Sequence, residues 1–249
     1  MNQVATRDQQ LDAGLTFLKE RGFNLLALLS TQALSEQLPQ FSVDHERFGS
    51  LLLLGSAGPD LWKQIDGEDL RHRTHPVDTY TQGTVRAFCS QYLGANSPED
   101  DIDHLVAWPN ESAREIPLMA LGTYAGWQHT SPLGLGLHPV HGLWFAYRAV
   151  VLLGPQWPER KLAASENPCD SCTGQPCVQA CPVGAVGGAN GLDLEVCFQE
   201  RQRDGAVCGR LCLARTACPV GANSRYSINQ VAHHHRFALL AWKKYQSDR

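Results

Sequence analysis

Eight of the nine cysteines fall between positions 169 and 218. They run as Cys169-x2-Cys172-x4-Cys177-x3-Cys181-Pro182, then Cys197, then Cys208-x3-Cys212-x5-Cys218-Pro219. Thiols this dense either form disulfides or bind metal. An extracellular disulfide framework calls for a secretory signal and usually an even count. Here the count is nine, and residues 1–12 are polar and mixed in charge. In a reducing compartment that leaves metal. Structural zinc also takes paired cysteines, but a tetrahedral site has no need of a Cys-Pro turn. A 4Fe–4S cube needs four thiolates converging from one compact loop and one remote arm. Proline after the last cysteine supplies the turn, because it stops a helix and sends the chain away from the cluster. The spacing therefore predicts iron–sulfur chemistry, in which electrons move one at a time. A repeat points the same way: Ala180-Cys181-Pro182-Val183-Gly184-Ala185 recurs as Ala217-Cys218-Pro219-Val220-Gly221-Ala222, the mark of a duplicated binding unit. Cys89, alone on an apolar segment, reads as a small buried hydrophobe.

The cysteine order resembles the two-cluster bacterial ferredoxin pattern, with a longer second gap and a second half stretched at both gaps. In that family the Cys-Pro cysteine of each half ligates the other half's cluster. The resemblance implies one 4Fe–4S cluster on Cys169, Cys172, Cys177 and Cys218. It implies a second on Cys197, Cys208, Cys212 and Cys181, which the stretched spacing leaves open to damage or loss.

The elements that must position these thiols are legible from hydrophobic period. Leu11, Leu15 and Leu18 predict a helix over 9–21. Residues 23–29 and 48–55 read as buried strands, with a short helix over 31–38 between them. Helices follow over 60–65, 76–93 and 118–127, and strands over 103–108 and 143–153. The alternation over residues 1–157 predicts an α+β domain built as an α/β sandwich. From Pro155 to Cys218 the chain is rich in Gly, Pro and Cys and needs a metal staple. We therefore divide it into residues 1–157, a cofactor-binding domain, and 158–249, an iron–sulfur domain with a C-terminal helix over 225–245. His233-His234-His235 lies in that helix and reads as a solvated face unless spatial partners make it a ligand.

The run His138-Pro139-Val140-His141-Gly142-Leu143-Trp144-Phe145-Ala146-Tyr147-Arg148-Ala149-Val150-Val151-Leu152-Leu153 resembles a stretch of the animal cobalamin-processing proteins, decyanases and dealkylases that strip the upper ligand from cobalamin. Gly22-Phe23-Asn24 and His75-Pro76-Val77-Asp78 resemble further motifs of that family. The same region followed by an iron–sulfur tail is similar to epoxyqueuosine reductases and cobalamin-dependent reductive dehalogenases, where Ala-Gly-x-Gly-Trp stands at the place of Tyr124-Ala125-Gly126-Trp127. The resemblance implies a nitroreductase-like fold followed by a small ferredoxin-like domain, with cobalamin beside the clusters. It carries over no helical-repeat extension, no twin-arginine signal and no glutathione-binding arginine beyond Arg148.

Read for themselves, residues 127–138 form a loop of Gly, Ser, Thr, His and Pro. His129, Thr130, Ser131 and His138 offer hydrogen bonds to the amide side chains of a corrin. His138 serves equally as a capping residue, whereas Trp127 and Trp144 read as core packing before a cofactor contact. Arg148, mid-strand among apolar neighbours, must be paired or face a polar cavity. The candidate cofactor residues are thus Trp127, His129, Thr130, Ser131, His138 and Arg148.

No Gly-x-Gly-x-x-Gly, P-loop or Gly-x-Ser-x-Gly motif is present. A net charge of −4 and a pI near 6.2 supply no basic stripe for nucleic acid. With 43% hydrophobic residues and no spanning segment, the expectation is a cytoplasmic protein with no membrane partner. The cysteines and the resemblance together imply an oxidoreductase, in which an external donor (flavodoxin, ferredoxin or a reductase) reduces two 4Fe–4S clusters that pass electrons to cobalamin or through it to a small-molecule substrate. Two other readings stay open, an iron–sulfur FMN reductase and a ferredoxin-type carrier whose first domain docks a partner.

Overall fold

A computed structural model describes residues 6–41, 43–67, 74–93, 104–108, 116–188 and 191–248. Residues 1–5 of the N-terminal segment and Asp103, at the head of a predicted strand, lie outside them. The chain makes two compact units, Met1–Gly126 with Ala146–Ala163, and Trp127–Phe145 with Ala164–Arg249.

The first unit begins with α1 (Arg7–Glu20), started by a reciprocal cap in which Thr6 and Gln9 each bond the other's backbone N–H. Leu11, Leu15 and Leu18 make its buried stripe. Then come β1 (Leu25–Ser30), α2 (Thr31–Gln37), β2 (Ser50–Ala57), α3 (Asp60–Gly67), α4 (Pro76–Tyr92), β3 (His104–Ala107) and α5 (Leu118–Tyr124). The chain next crosses to the second unit for β4 (His129–Thr130) and β5 (Gly136–Leu137), and returns along β6 (Phe145–Leu153).

The sheet order is β1-β2-β6-β3, antiparallel between β1 and β2 and between β6 and β3. Every residue of β2 is buried, as expected of an inner strand whose apolar run does not alternate. One face packs Leu52, Leu54, Ala149, Val151 and Leu153 against Leu11, Leu18, Phe88 and Cys89 of α1 and α4. Cys89 is thus core, wholly buried. Asn24 fastens the end of β2: its Nδ2 donates to the Ala57 carbonyl at 2.9 Å and its Oδ1 accepts the Ala57 N–H at 2.7 Å.

The second unit has little regular structure: α6 (Pro176–Gln179), β7 (Val186–Gly188), β8 (Gly191–Leu192), α7 (Leu194–Gln202), α8 (Leu213–Ala217) and the long α9 (Ile228–Ser247). Two sequence expectations shift here. Residues 127–138 are not a plain loop, because His129 pairs with Leu137 and Thr130 with Gly136 in a hairpin. The predicted strand over 143–153 starts only at Phe145. The Leu143 carbonyl is taken by the Arg215 side chain, and the Trp144 N–H closes on the His141 carbonyl at 3.1 Å. No helix among the described residues is long and apolar enough to cross a membrane.

Candidate metal centres and cofactor site

All nine cysteines are free thiols, and the eight clustered ones sit on short, tightly turned pieces of the second unit. Asn167 starts the run by accepting the Cys169 N–H on its Oδ1 at 3.0 Å, and the Cys172 N–H then reaches the Cys169 carbonyl. Cys177 lies in α6, whose N-cap Gln175 holds the left-handed conformation at φ 40°. Cys181 follows α6. Asp193 caps α7 through the Val196 N–H, and α7 carries Cys197. Cys208 sits in a 3-10 turn, Val207–Gly209. Cys212 itself caps α8, its Sγ accepting the Arg215 N–H at 3.4 Å. Cys218 closes α8. In both copies of the repeat the glycine two residues after Cys-Pro is left-handed, at φ 64° in Gly184 and 73° in Gly221, a conformation open to glycine at no cost.

The thiols fall into two electrostatic sets. Burial pushes the Cys169 thiol up to about 11, and Cys218, Cys177 and Cys172 add to the push. Burial also raises Cys197, which Arg201 pulls down and Cys212, Cys181 and Cys208 push up again. Each set thus joins three cysteines of one half to the Cys-Pro cysteine of the other. Crowded, half-buried thiols that repel one another's anions stay protonated unless a cation compensates their charge. Among the described residues no group of three or more His, Cys, Asp or Glu closes on a single metal ion. A cube carrying one thiolate on each of four irons holds its ligands farther apart than one tetrahedral ion does. Around the second set lies a cavity of about 300 Å³ lined by Cys181, Cys197, Cys208 and Cys212 together with Arg201 and His235.

Of the six candidate cofactor residues, five lie in the second unit and Arg148 in the first. Trp127 is buried. His129 Nε2 is 3.0 Å from Ser165 Oγ, Ser131 Oγ donates to the Leu135 carbonyl at 2.6 Å, and the Thr130 carbonyl accepts from Asn167 Nδ2. The hairpin is thereby tied to the residue that positions Cys169. Past it, His138 and Gly142 exchange backbone hydrogen bonds across a tight loop. His138 Nδ1 accepts the N–H groups of Val140 and His141, both at 3.1 Å, which leaves the proton on Nε2. That Nε2 is buried and has no partner among the described residues, as is the case for Trp144 Nε1. Burial, and then His141, lower the ring's pKa to about 4, so it is neutral. Arg148 Nε donates to Ser56 Oγ at 2.9 Å, one partner that the mid-strand arginine requires.

Three residues of the second cavity escaped the sequence reading. Arg201 follows Cys197 by one helical turn and Arg215 follows Cys212 by three residues, spacings that put a cation on the same face as each thiol. His235 was read with its neighbours as part of a solvated face; it is buried, with its pKa lowered to about 4 by burial first and Arg201 second.

No protein-family model matches the chain, and no curated protein sequence matches it. Solved structures do. One is an epoxyqueuosine reductase with a tRNA-Tyr stem loop, at 14% identity over 91% of this chain and 69% of that one, TM-score 0.54. Another is CblC, a B12-trafficking protein of C. elegans, at 12% identity over 91% of each chain, TM-score 0.53. A third is a reductive dehalogenase described in terms of B12-dependent dehalogenation, at 13% identity, TM-score 0.53; 96% of this chain matches 35% of that one. The mixed α/β fold of this chain, with its antiparallel sheet, is the fold of epoxyqueuosine reductases, CblC and reductive dehalogenases.

Proposed function

We propose that this chain is an iron–sulfur oxidoreductase that holds two 4Fe–4S clusters and delivers single electrons to cobalamin. The observation that carries it is the interleaving of the thiol sets, Cys218 with Cys169, Cys172 and Cys177, and Cys181 with Cys197, Cys208 and Cys212. Zinc ribbons and disulfides give no reason for two sequence halves to exchange their last cysteines, whereas paired clusters do.

When bound, the clusters would supply reducing equivalents one at a time and a corrin would supply a redox-active metal. The chain's own part is to bind and to orient. Backbone N–H groups of Val178, Val220 and Leu213 favour the thiolates of Cys177, Cys218 and Cys208 against the push of burial. The Arg215 N–H donates to Cys212 Sγ at 3.4 Å. For a corrin, the buried His138 Nε2–H is a fixed neutral donor in need of an acceptor, and a corrin's amide carbonyls are acceptors. Trp127 and Thr130 remain proposed cofactor residues of the second unit, with His129 and Ser131 holding the hairpin, and Arg148 remains a proposed cofactor residue of the first. B12 is named for two of the similar structures described above, as what CblC traffics and as what the dehalogenation depends on. The net charge of −4 sets this chain apart from a tRNA-binding role. A ferredoxin-like tail, a reducing cytoplasm and an external flavodoxin, ferredoxin or reductase as donor complete the proposal.

The test is an anaerobic reconstitution with iron and sulfide, followed by a titration with cob(II)alamin beside one with FMN. Two cubes' worth of iron and a saturable move of the corrin bands to the base-off form support the reading. Unchanged corrin bands with saturable flavin binding transfer it to the FMN reductase. Clusters with neither ligand leave the electron carrier.

A further inference from the structure

We infer that the cluster held by Cys181, Cys197, Cys208 and Cys212 has the higher reduction potential of the two, and that Arg201 is the residue that raises it. This rests on the two-cluster reading above.

A cluster's potential follows its net charge, the hydrogen bonds to its sulfurs and its exposure to solvent. A backbone N–H donates to a sulfur of the second set, Arg215 to Cys212 at 3.4 Å, but one such bond does not by itself rank two clusters. Fixed charge does. At the first set Asp170 pushes against Cys169, and the nearby cation is Arg225, an exposed residue whose guanidinium donates to the Thr216 carbonyl. At the second, Arg201 faces Cys197, Cys212 and Cys208 from the cavity wall. Its Nη2 is anchored on the His235 carbonyl at 2.8 Å, and its guanidinium lies over the Phe198 ring at 4.5 Å. Among the described residues no carboxylate pairs with it, and its buried Nε–H has no acceptor. A cluster sulfide would be a fitting acceptor for this donor. Arg215 adds a second cation to the same wall, buried beneath Trp144 and Tyr226. Glu200, an acid that pushes on Cys208, is bound by Nε and Nη2 of Arg203 and is largely neutralised. The half-buried Arg201 and Arg215 act on the added electron with less screening than the exposed Arg225, which water and salt surround.

The full chain, reconstituted anaerobically, should be titrated with dithionite as electron donor and followed by electron paramagnetic resonance. Two reduction steps are expected, with Cys208→Ser altering the spectrum of the upper one. Arg201→Gln should shift the upper step down and leave the lower step in place. Arg201→Lys, which keeps the charge, should recover most of the shift, and Arg225→Gln should move neither step as far. The inference is overturned if Cys208→Ser marks the lower step, or if Arg201→Gln carries both clusters and moves nothing. Should Arg201→Gln lose its cluster, the order of the two wild-type steps still decides. Iron for one cube or none in the wild type sinks the two-cluster reading itself, which separates that failure from this one.

Discussion

Gly221 has no room for a methyl group. A Cβ there would lie 2.1 Å from the His141 carbonyl oxygen, and one on Gly142 would lie 2.0 Å from that of Val220. The two glycines let backbone meet backbone, so the His138–Gly142 loop rests directly on the second Cys-Pro turn. Its repeat partner Gly184 shares the left-handed conformation but has nothing within 4 Å of its would-be Cβ. Gly184→Ala should therefore cost about 1–2 kcal/mol from backbone strain alone, while Gly221→Ala should cost about 3 kcal/mol or more as overpacking is added. Denaturant melts of the two variants give the comparison, and equal losses would deny the backbone contact its role. His138 makes a second residue-level prediction. With a folded pKa near 4 against 6.5 unfolded, the unfolded chain takes up a proton between those values that the folded ring refuses. Stability should rise with pH across that window and fall by up to about 3 kcal/mol as pH drops from 6.5 to 4. His138→Asn, which keeps an acceptor for the Val140 and His141 amides, should flatten part of that slope, and His235 should keep the rest. Ring NMR that finds His138 titrating near 6.5 contradicts this.

At the scale of elements, the long periodic segments were legible and the short ones were not. The Leu11, Leu15 and Leu18 stripe of α1, the unbroken apolar run of β2 and the Pro76 start of α4 each stated their element in local residues. The β4–β5 hairpin did not, because two-residue strands are too short to carry a period and their pairing is fixed by the Ser131 and Asn167 hydrogen bonds. The Cys-Pro repeat stated its turns through Pro182 and Pro219, but nothing local revealed that Arg201 and His235 would share a cavity. Arg148 was flagged as needing a partner, and Ser56, 92 residues away, gave no sign of supplying one. Asn24 is a similar case: the motif drew attention to it, and its role is to act as one more rung beside β2. Asn24→Ala should cost about 2 kcal/mol, since it removes two hydrogen bonds and strands the N–H and carbonyl of Ala57. Hydrogen exchange should show faster opening at the end of β2 before elsewhere in the sheet. Uniform protection in the variant would refute the rung.

On the scale of the whole molecule, the composition change near Pro155 marks only the last passage of the chain between units and is silent about the earlier one at Trp127. The hairpin residues have no Cys and little apolar period, so no local signal assigns them to the cysteine-rich unit. The acidic balance should also show itself globally. A tRNA stem loop should not bind in a gel-shift assay at low salt, where electrostatic attraction is strongest, and retention there would reopen a nucleic-acid role. The double crossing bears on the order of manufacture. A ribosome releases the hairpin before it releases β6, which the first sheet needs between β2 and β3, and well before the residues from Ala164 on that complete the hairpin's own unit. The first unit therefore cannot close before Ala163 has emerged, and the hairpin must wait longer still for the rest of its own unit. Severing the polypeptide after residue 157 would separate Gly142 from Gly221, and a gene split at that point should yield two pieces that fold only when expressed together.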